Sequence, residues 1–353
     1  MNEMFDIIIV SYNARDKLGE CIDSVRRYTK NCDYLMTVVD NGSRDRTVKY
    51  LRCQKGINVI YYKKNLGKPK ALNLAIKNTF RDLIVCLDDD ARVTRGWIDG
   101  LYSQLKNNLR VGIVGCKIVF PNKLIFCADS ILKPPIIIGH GEIDFGQRDY
   151  IKETDMVAAT CWLMRRELIS KVGYFDERFF PNQYEDNDYC LRTRLAGYKI
   201  IYNGRVSIIH DHLYREGGFG PKNTLRYFKK WNNLKVPFSA DSYPVDRYNA
   251  RGIGYLKNKR YTQALKEFQK TAQIDKRFSL PYFMGITLKG KGEYLKATRE
   301  FKKVLRLHPK DIDLLFTIAT CYQKLRMTKA AANWYQKALD LIVERIKEED
   351  AGL

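Results

Sequence analysis

Four times in the first ninety residues an apolar run of strand length stops at a polar stretch. The runs are "DIIIVSYN" (6–13), "YLMTVVDNGSRD" (34–45), "INVIYYKKN" (57–65) and "DLIVCLDDD" (82–90). Helix-spaced segments alternate with them. "KLGECIDSVRRYTK" (17–30) aligns Leu18, Cys21, Ile22 and Val25 on one stripe, and "GKPKALNLAIKNT" (67–79) carries Pro69 where a first helical turn tolerates it. Buried strands alternating with helices predict an α/β fold built from βαβ units around a largely parallel sheet. Ligands of such sheets bind outside the carboxyl ends of the strands. Three of the four ends carry polar clusters, "SYN", "VDNGSRD" and "LDDD", so one sheet edge is the expected site.

Beyond residue 110 the pattern is mixed. "VGIVGCKIVF" (111–120) and "DMVAATCWLMRRELI" (155–169) hold further strand-like runs, and 121–153 reads as irregular loops over the site. "QYEDNDYCLRTRLAGYKI" (183–200) reads as a helix ending at Gly197, then a strand. "SIIHDHLYREGGFG" (207–220) reads as a strand end followed by a Gly-rich loop.

The chain changes character after "VPFSADSYP" (236–244). Strand signals vanish and three segments align at offsets of 33 and 34 residues. Gly252, Gly285 and Ala319 share one small position, and Ala264, Ala297 and Ala331 another. Phe268, Phe301 and Tyr335 share an aromatic position, and Pro309 closes the second segment. This pattern resembles the tetratricopeptide repeat, a helix–turn–helix unit of about 34 residues. Small residues let paired helices approach, and three repeats suffice for a stable stack. The expected organisation is a catalytic domain over 1–235, a linker at 236–245 and an all-α repeat domain over 246–353.

A formal net charge of +22 and a pI of about 9.5 suit an anionic partner or a solvated basic surface. A nucleic-acid role has only this charge in its favour, because no recognisable reading module is present. Nine scattered cysteines without a CxxC pair read as reduced thiols of a cytosolic protein. No apolar run approaches the ~18 residues of a membrane helix, and "MNEMFDIIIVSYN" shows no basic n-region followed by a long apolar segment. The expected location is the cytoplasm, with peripheral attachment to the inner face of an anionic membrane as an option.

Three clusters carry the chemistry. Asp40, at the end of the second strand, can accept from a ribose or a uracil-type base, or can cap the turn that follows. Asp88, Asp89 and Asp90 repel one another at a strand exit, and a hard divalent cation relieves that repulsion. In an extended chain Asp88 and Asp90 share a side and Asp89 points away. A helix cap needs only one such carboxylate. Glu185, Asp186 and Asp188 open a helix, where the dipole alone favours carboxylates; the functional alternative is a general base, and Asp186 is the candidate. His210, with His212 close by, can supply a third metal ligand through a ring nitrogen or can be structural.

"IIIVSYN", "VVDNGSRDRT", "NLGKPKALNLAI", "LDDDARV", "CWLMRRELISKVGYFDERFF", "YEDNDYCLRTRLAGYKI" and "IIH" occur in an order that resembles glycosyltransferase family 2, over roughly residues 5–215. The resemblance implies a GT-A fold (a Rossmann-like mixed sheet), a nucleotide-diphosphate sugar donor, Mn2+ or Mg2+, and inversion by direct displacement. By the same resemblance Ser11, Tyr12 and Asn13 line the nucleotide pocket and Asp40 contacts the base. Asp88 and Asp90 serve the metal, with Asp88 and Asp89 also on the donor side, and Lys68 reaches the donor phosphates. His210 completes the coordination, Asp186 is the base, and Trp162, Asp176 and Glu185 border the sugar and acceptor. One departure is Leu72, which stands where many members have Arg.

The acceptor stays open between an envelope glycan or lipid-linked sugar and a polypeptide held by the repeats, which could equally pair two subunits. A non-catalytic scaffold is the competing class, and the intact acidic and histidine set argues against it. Nucleotidyl transfer would want a Gly- and Lys-rich phosphate loop after the first strand, which "SYNARDK" does not supply.

Overall fold

The computed structural model describes residues 3–30, 32–132, 135–211, 221–231, 244–274 and 280–351. The chain divides into two compact units. One takes residues 1–121, 126–138 and 146–240; the other takes 122–125, 139–145 and 241–353.

The first unit opens as the alternation predicts: β1 Met4–Ser11, α1 Arg15–Tyr28, β2 Asp33–Asp40, α2 Thr47–Arg52, β3 Ile57–Tyr61, α3 Lys68–Lys77 and β4 Leu83–Asp88. These strands lie parallel in the order β3-β2-β1-β4. Ser11 pairs with Asp40 and Val10 with Asp88, so the three polar strand ends emerge at one edge. The stripe of α1 explains its seat: Leu18, Cys21, Ile22 and Val25 are fully buried in the core that holds Phe5, Ile7 and Ile9. Each such aliphatic contributes about 1.5–3 kcal/mol relative to exposure.

The chain continues through β5 Ala91–Arg92, α4 Trp97–Leu105, β6 Val111–Val119, β7 Ile125–Cys127, β8 Ser130–Leu132, β9 Pro135–Ile137, β10 Ile151–Thr154, β11 Cys161–Arg165, α5 Glu167–Val172, α6 Glu185–Leu195, β12 Lys199–His210 and α7 Pro221–Trp231. Beyond β4 the sheet runs β11-β6-β12-β10. Strand β11 is antiparallel to both β4 and β6, and β12 is parallel to β6. The sheet is therefore mixed, as in a GT-A fold, rather than largely parallel. Segment 121–153, expected as loops, contains short strands, and its pieces 122–125 and 139–145 group with the second unit.

The second unit carries α8 Pro244–Lys257, α9 Tyr261–Ile274, α10 Pro281–Gly290, α11 Tyr294–Leu305, α12 Ile312–Lys324 and α13 Thr328–Ala351. They pack as the pairs α8–α9, α10–α11 and α12–α13. The aligned positions meet as the offsets predict. A Cβ on Gly252 would fall 2.4 Å from Phe268, and one on Gly285 2.5 Å from Phe301. Both phenylalanines are fully buried, and Ala319, 0% exposed, fills the third small position. Asp311 caps α12 by accepting from the Leu314 N–H at 2.9 Å. Within this unit the 139–145 piece is tied down where the Gly139 N–H donates to the buried Asp246 at 3.1 Å and His140 meets the Phe283 ring. The first helix begins at Pro244, inside the expected linker, whose residues 236–243 lie outside those described.

Candidate active site

The triple aspartate sits where β4 ends. Strand β5 follows after two residues and pairs with the end of β12, Ala91 opposite His210 and Arg92 opposite Ile209. The Asp211 N–H donates to the Asp90 carbonyl at 2.9 Å. This pairing brings His210 across some 120 residues of chain to the aspartates. Its Nε2 lies 2.9 Å from Asp90 Oδ1 and 4.0 Å from Asp88 Oδ2. One ligand atom each from Asp88, Asp90 and His210 fit within 4.8 Å of one another. Two carboxylates and an imidazole form a mixed oxygen–nitrogen set that can accept a cation such as Mn2+. Asp89 turns away, as alternation predicts, and accepts from the Tyr12 N–H at 3.3 Å. Its own burial and the neighbouring Asp90 carboxylate push it up to about 7, so the cluster resists full ionisation without a cation.

Lys68 enters from the first turn of α3. Its Nζ lies 2.5 Å from Asp88 Oδ1 and 4.0 Å from Glu185 Oε1. Burial alone would lower this amine, but the Asp88 and Glu185 carboxylates prevail and hold it charged. The turn before it is fixed by side chains that were not singled out in the sequence. Asn41 Nδ2 donates to Asn65 Oδ1, Asn41 Oδ1 accepts from the Leu66 N–H, and the Lys68 N–H donates to the Pro181 carbonyl. Gly67 sits at φ +81°, and a Cβ there would fall 2.7 Å from the Phe180 ring, leaving no room for a side chain.

The three acids of α6 separate. Asp188 is fully buried, neutralised by Lys230 (2.6 Å) and Arg192 (2.8 Å), and accepts a hydrogen bond from Trp231 Nε1 (2.9 Å). Glu185 is 3% exposed and faces Lys68. Asp186 alone stays half-buried, held by the Asn187 N–H at 2.9 Å and the Ala159 N–H at 3.5 Å. Burial raises both Glu185 and Asp186 above the usual carboxylate range, with Lys68 opposing it. A raised, half-buried carboxylate is suited to accept a proton near neutrality.

Other expected residues fall less simply. Ser11 and Asp40 are almost wholly buried, so of the nucleotide-side stretch only Tyr12 and Asn13 face outward. Asp40 Oδ1 accepts from the Ser43 N–H at 3.4 Å, the turn-capping role. Asn13 is tied to the same turn, receiving the Arg44 N–H at 2.7 Å and donating its own N–H to Ser43 Oγ at 3.0 Å. Trp162 was expected at the sugar. It is 0% exposed and lies beside Phe175 and Tyr189, so it backs the site instead of lining it. Asp176 is paired with Arg178 (2.6 Å) and Lys230 (2.8 Å), and the Arg178 guanidinium holds it well below the carboxylate range. Leu72 is buried, and the adjacent Asn73 clamps Phe175 through its carbonyl and its N–H, both at 2.9 Å. Lys17 donates to the Asp211 carbonyl and so braces the strand end that bears His210. Neither Asn73 nor Lys17 carries a spacing signal; their partners lie 102 and 194 residues away. His212 lies outside the described residues.

Residues 6–173 match the family model of Glycosyl transferase family 2. This stretch is a glycosyl transferase family 2 domain. Over 217 residues the chain is 28% identical to the O-antigen biosynthesis protein RfbC of Myxococcus xanthus, covering 58% of this chain and 17% of that protein. Over 245 residues it is 22% identical to an N-acetylglucosaminyl-diphospho-decaprenol L-rhamnosyltransferase of Mycobacterium tuberculosis, covering 62% and 79%. Two other curated relatives are spanned over only 29% and 37% of their lengths, so the chain covers well under half of several proteins it matches. The crystal structure of GalNAc-T7 with UDP, GalNAc and Mn2+ shares the fold, with a TM-score of 0.52 at 13% identity, covering 74% of this chain and 55% of that one.

Proposed function

We propose that this family 2 domain is an inverting, metal-dependent glycosyltransferase that moves a sugar from a nucleotide-diphosphate sugar to an acceptor hydroxyl. The carrying observation is the convergence of Asp88, Asp90 and His210 at the strand-end edge, with Lys68 linking that set to Glu185, the first residue of the helix that also bears Asp186. Asp88, Asp90 and His210 would hold a divalent cation, which would supply positive charge to stabilise a departing nucleoside diphosphate. Lys68 supplies a second positive charge beside those phosphates. Tyr12 and Asn13 offer the outward groups on the nucleotide side, on a turn that Asp40 and Ser43 hold in shape. Asp89 fixes the Tyr12 backbone.

Asp186 accepts the acceptor's proton as its hydroxyl oxygen attacks the anomeric carbon. The new carbon–oxygen bond forms opposite the breaking bond to phosphate, so the configuration inverts. Glu185 and Asp188 are less suited, because Glu185 is buried beside Lys68 and Asp188 is buried and paired with Lys230 and Arg192. Asp186→Asn should lower transfer by about 10²–10⁴-fold while donor binding persists. Normal turnover by that variant would remove the assignment. A screen of nucleotide sugars with Mn2+ or Mg2+, read by thermal stabilisation and metal-dependent hydrolysis, would name the donor. Silence across all donors would favour a scaffold.

The names of the relatives, O-antigen biosynthesis and a decaprenol-linked rhamnosyl transfer, favour a cell-envelope glycan or lipid-linked acceptor. The helix pairs favour a second reading in which about three tetratricopeptide repeats hold a polypeptide acceptor. Transfer to lipid-linked sugar but not to peptide would separate the two.

A further inference from the structure

Helix α7 presents two unlike faces. Its inner face is anchored on the first unit: Tyr227 stacks on Tyr184 at 5.0 Å, Trp231 and Lys230 reach Asp188, and Asn223 donates to the Phe180 and Asn182 carbonyls. Its outer face carries Leu225, 70% exposed, and Phe228, 42% exposed, three residues apart and therefore adjacent on the surface. Lys222 and Lys229 flank them and are exposed, and "PKNTLRYFKKW" contains no acid. Phe180, 54% exposed, lies on the segment against which Asn223 packs. Single exposed apolar residues are ordinary, whereas an apolar pair on a rigid helix between lysines is not.

We propose that α7 is a membrane-docking element that seats the catalytic unit on an anionic lipid surface. An amphipathic helix with lysines beside its apolar face settles at the headgroup boundary, burying the apolar side chains and pairing the ammonium groups with phosphates. A protein interface fits less well, since interface cores are depleted in lysine. The overall charge of +22 adds long-range attraction to such a surface. The segment ending at Pro181 also fixes the Lys68 backbone, so docking through α7 would bring the lipid surface to the rim of the catalytic edge. That placement suits a lipid-linked acceptor. This last step rests on the transferase reading; the docking itself does not.

The test is co-sedimentation of the full chain with vesicles of 3:7 phosphatidylglycerol and phosphatidylcholine, without donor or acceptor. Wild-type protein should bind, and pure phosphatidylcholine should bind it at least tenfold less. Lys222→Glu and Lys229→Glu should each weaken binding by about fivefold or more. Leu225→Glu/Phe228→Glu should abolish binding while the melting temperature stays within the wild-type range, since both residues are exposed. Equal binding by the double variant, or no binding by the wild type, overturns the proposal. So does a lipid-free dimer that the double variant converts to monomer, which would make α7 a protein interface.

Discussion

The acidic strand-end edge and the helical array use repetition in opposite ways. At the edge, neighbours of the same residue type are put to different uses. Asp88 and Asp90 face His210 while Asp89 turns to Tyr12; Asp186 stays half-buried while Asp188, two residues on, is locked among Lys230, Arg192 and Trp231. In the array, residues 33 apart make the same contact, Gly252 on Phe268 and Gly285 on Phe301, at 2.4 and 2.5 Å from a would-be Cβ. A site needs singular environments, because each group must differ in charge and access from its neighbours. A stack needs equal ones, because each helix pair buries its face on the next.

The sharpest way to break this contrast is to make the same substitution at neighbouring acids. Asp186→Asn should cost about 10²–10⁴-fold in transfer, measured by steady-state kinetics, with thermal stability close to wild type. Asp188→Asn should instead cost about 3 kcal/mol of stability in denaturant unfolding, since it strips the partner from a buried charge network. Similar phenotypes for the two would show that the acids of α6 act as one cluster.

The array invites the converse test. Gly285→Ala and Gly252→Ala should each destabilise the helical unit by about 1–3 kcal/mol, and by similar amounts, because both drive a methyl into a buried phenylalanine. Gly254→Ala, on the same helix as Gly252 but with open space around it, should stabilise by about 0.5–1 kcal/mol. Thermal melts followed by far-ultraviolet circular dichroism would rank the three. Unequal effects at 252 and 285 would mean that the matched contacts are not equivalent.

This contrast also explains what the sequence made legible. The array was readable in register because its contacts are local and recur. The parallel strands were readable because apolar runs end at polar clusters, and Asp88, Asp89 and Asp90 divided as alternation requires. His210 could be nominated but not located, since its approach to Asp90 depends on β5 pairing with the far end of β12. Trp162 was misplaced because sequence does not reveal that Phe175 and Tyr189 close over it. Asp186 and Asp188 look alike in sequence; Lys230 and Trp231, which distinguish them, lie more than forty residues further along.

The central claim is that Asp88, Asp90 and His210 form one cation site. Mn2+ titration followed by electron paramagnetic resonance, with saturating UDP or GDP present, tests it directly. Wild-type protein should bind one Mn2+, Asp90→Asn and His210→Ala should each weaken binding at least about tenfold, and His308→Ala in the helical unit should leave it unchanged. Wild-type affinity in the His210→Ala variant, or no bound Mn2+ in the wild type, would contradict the account.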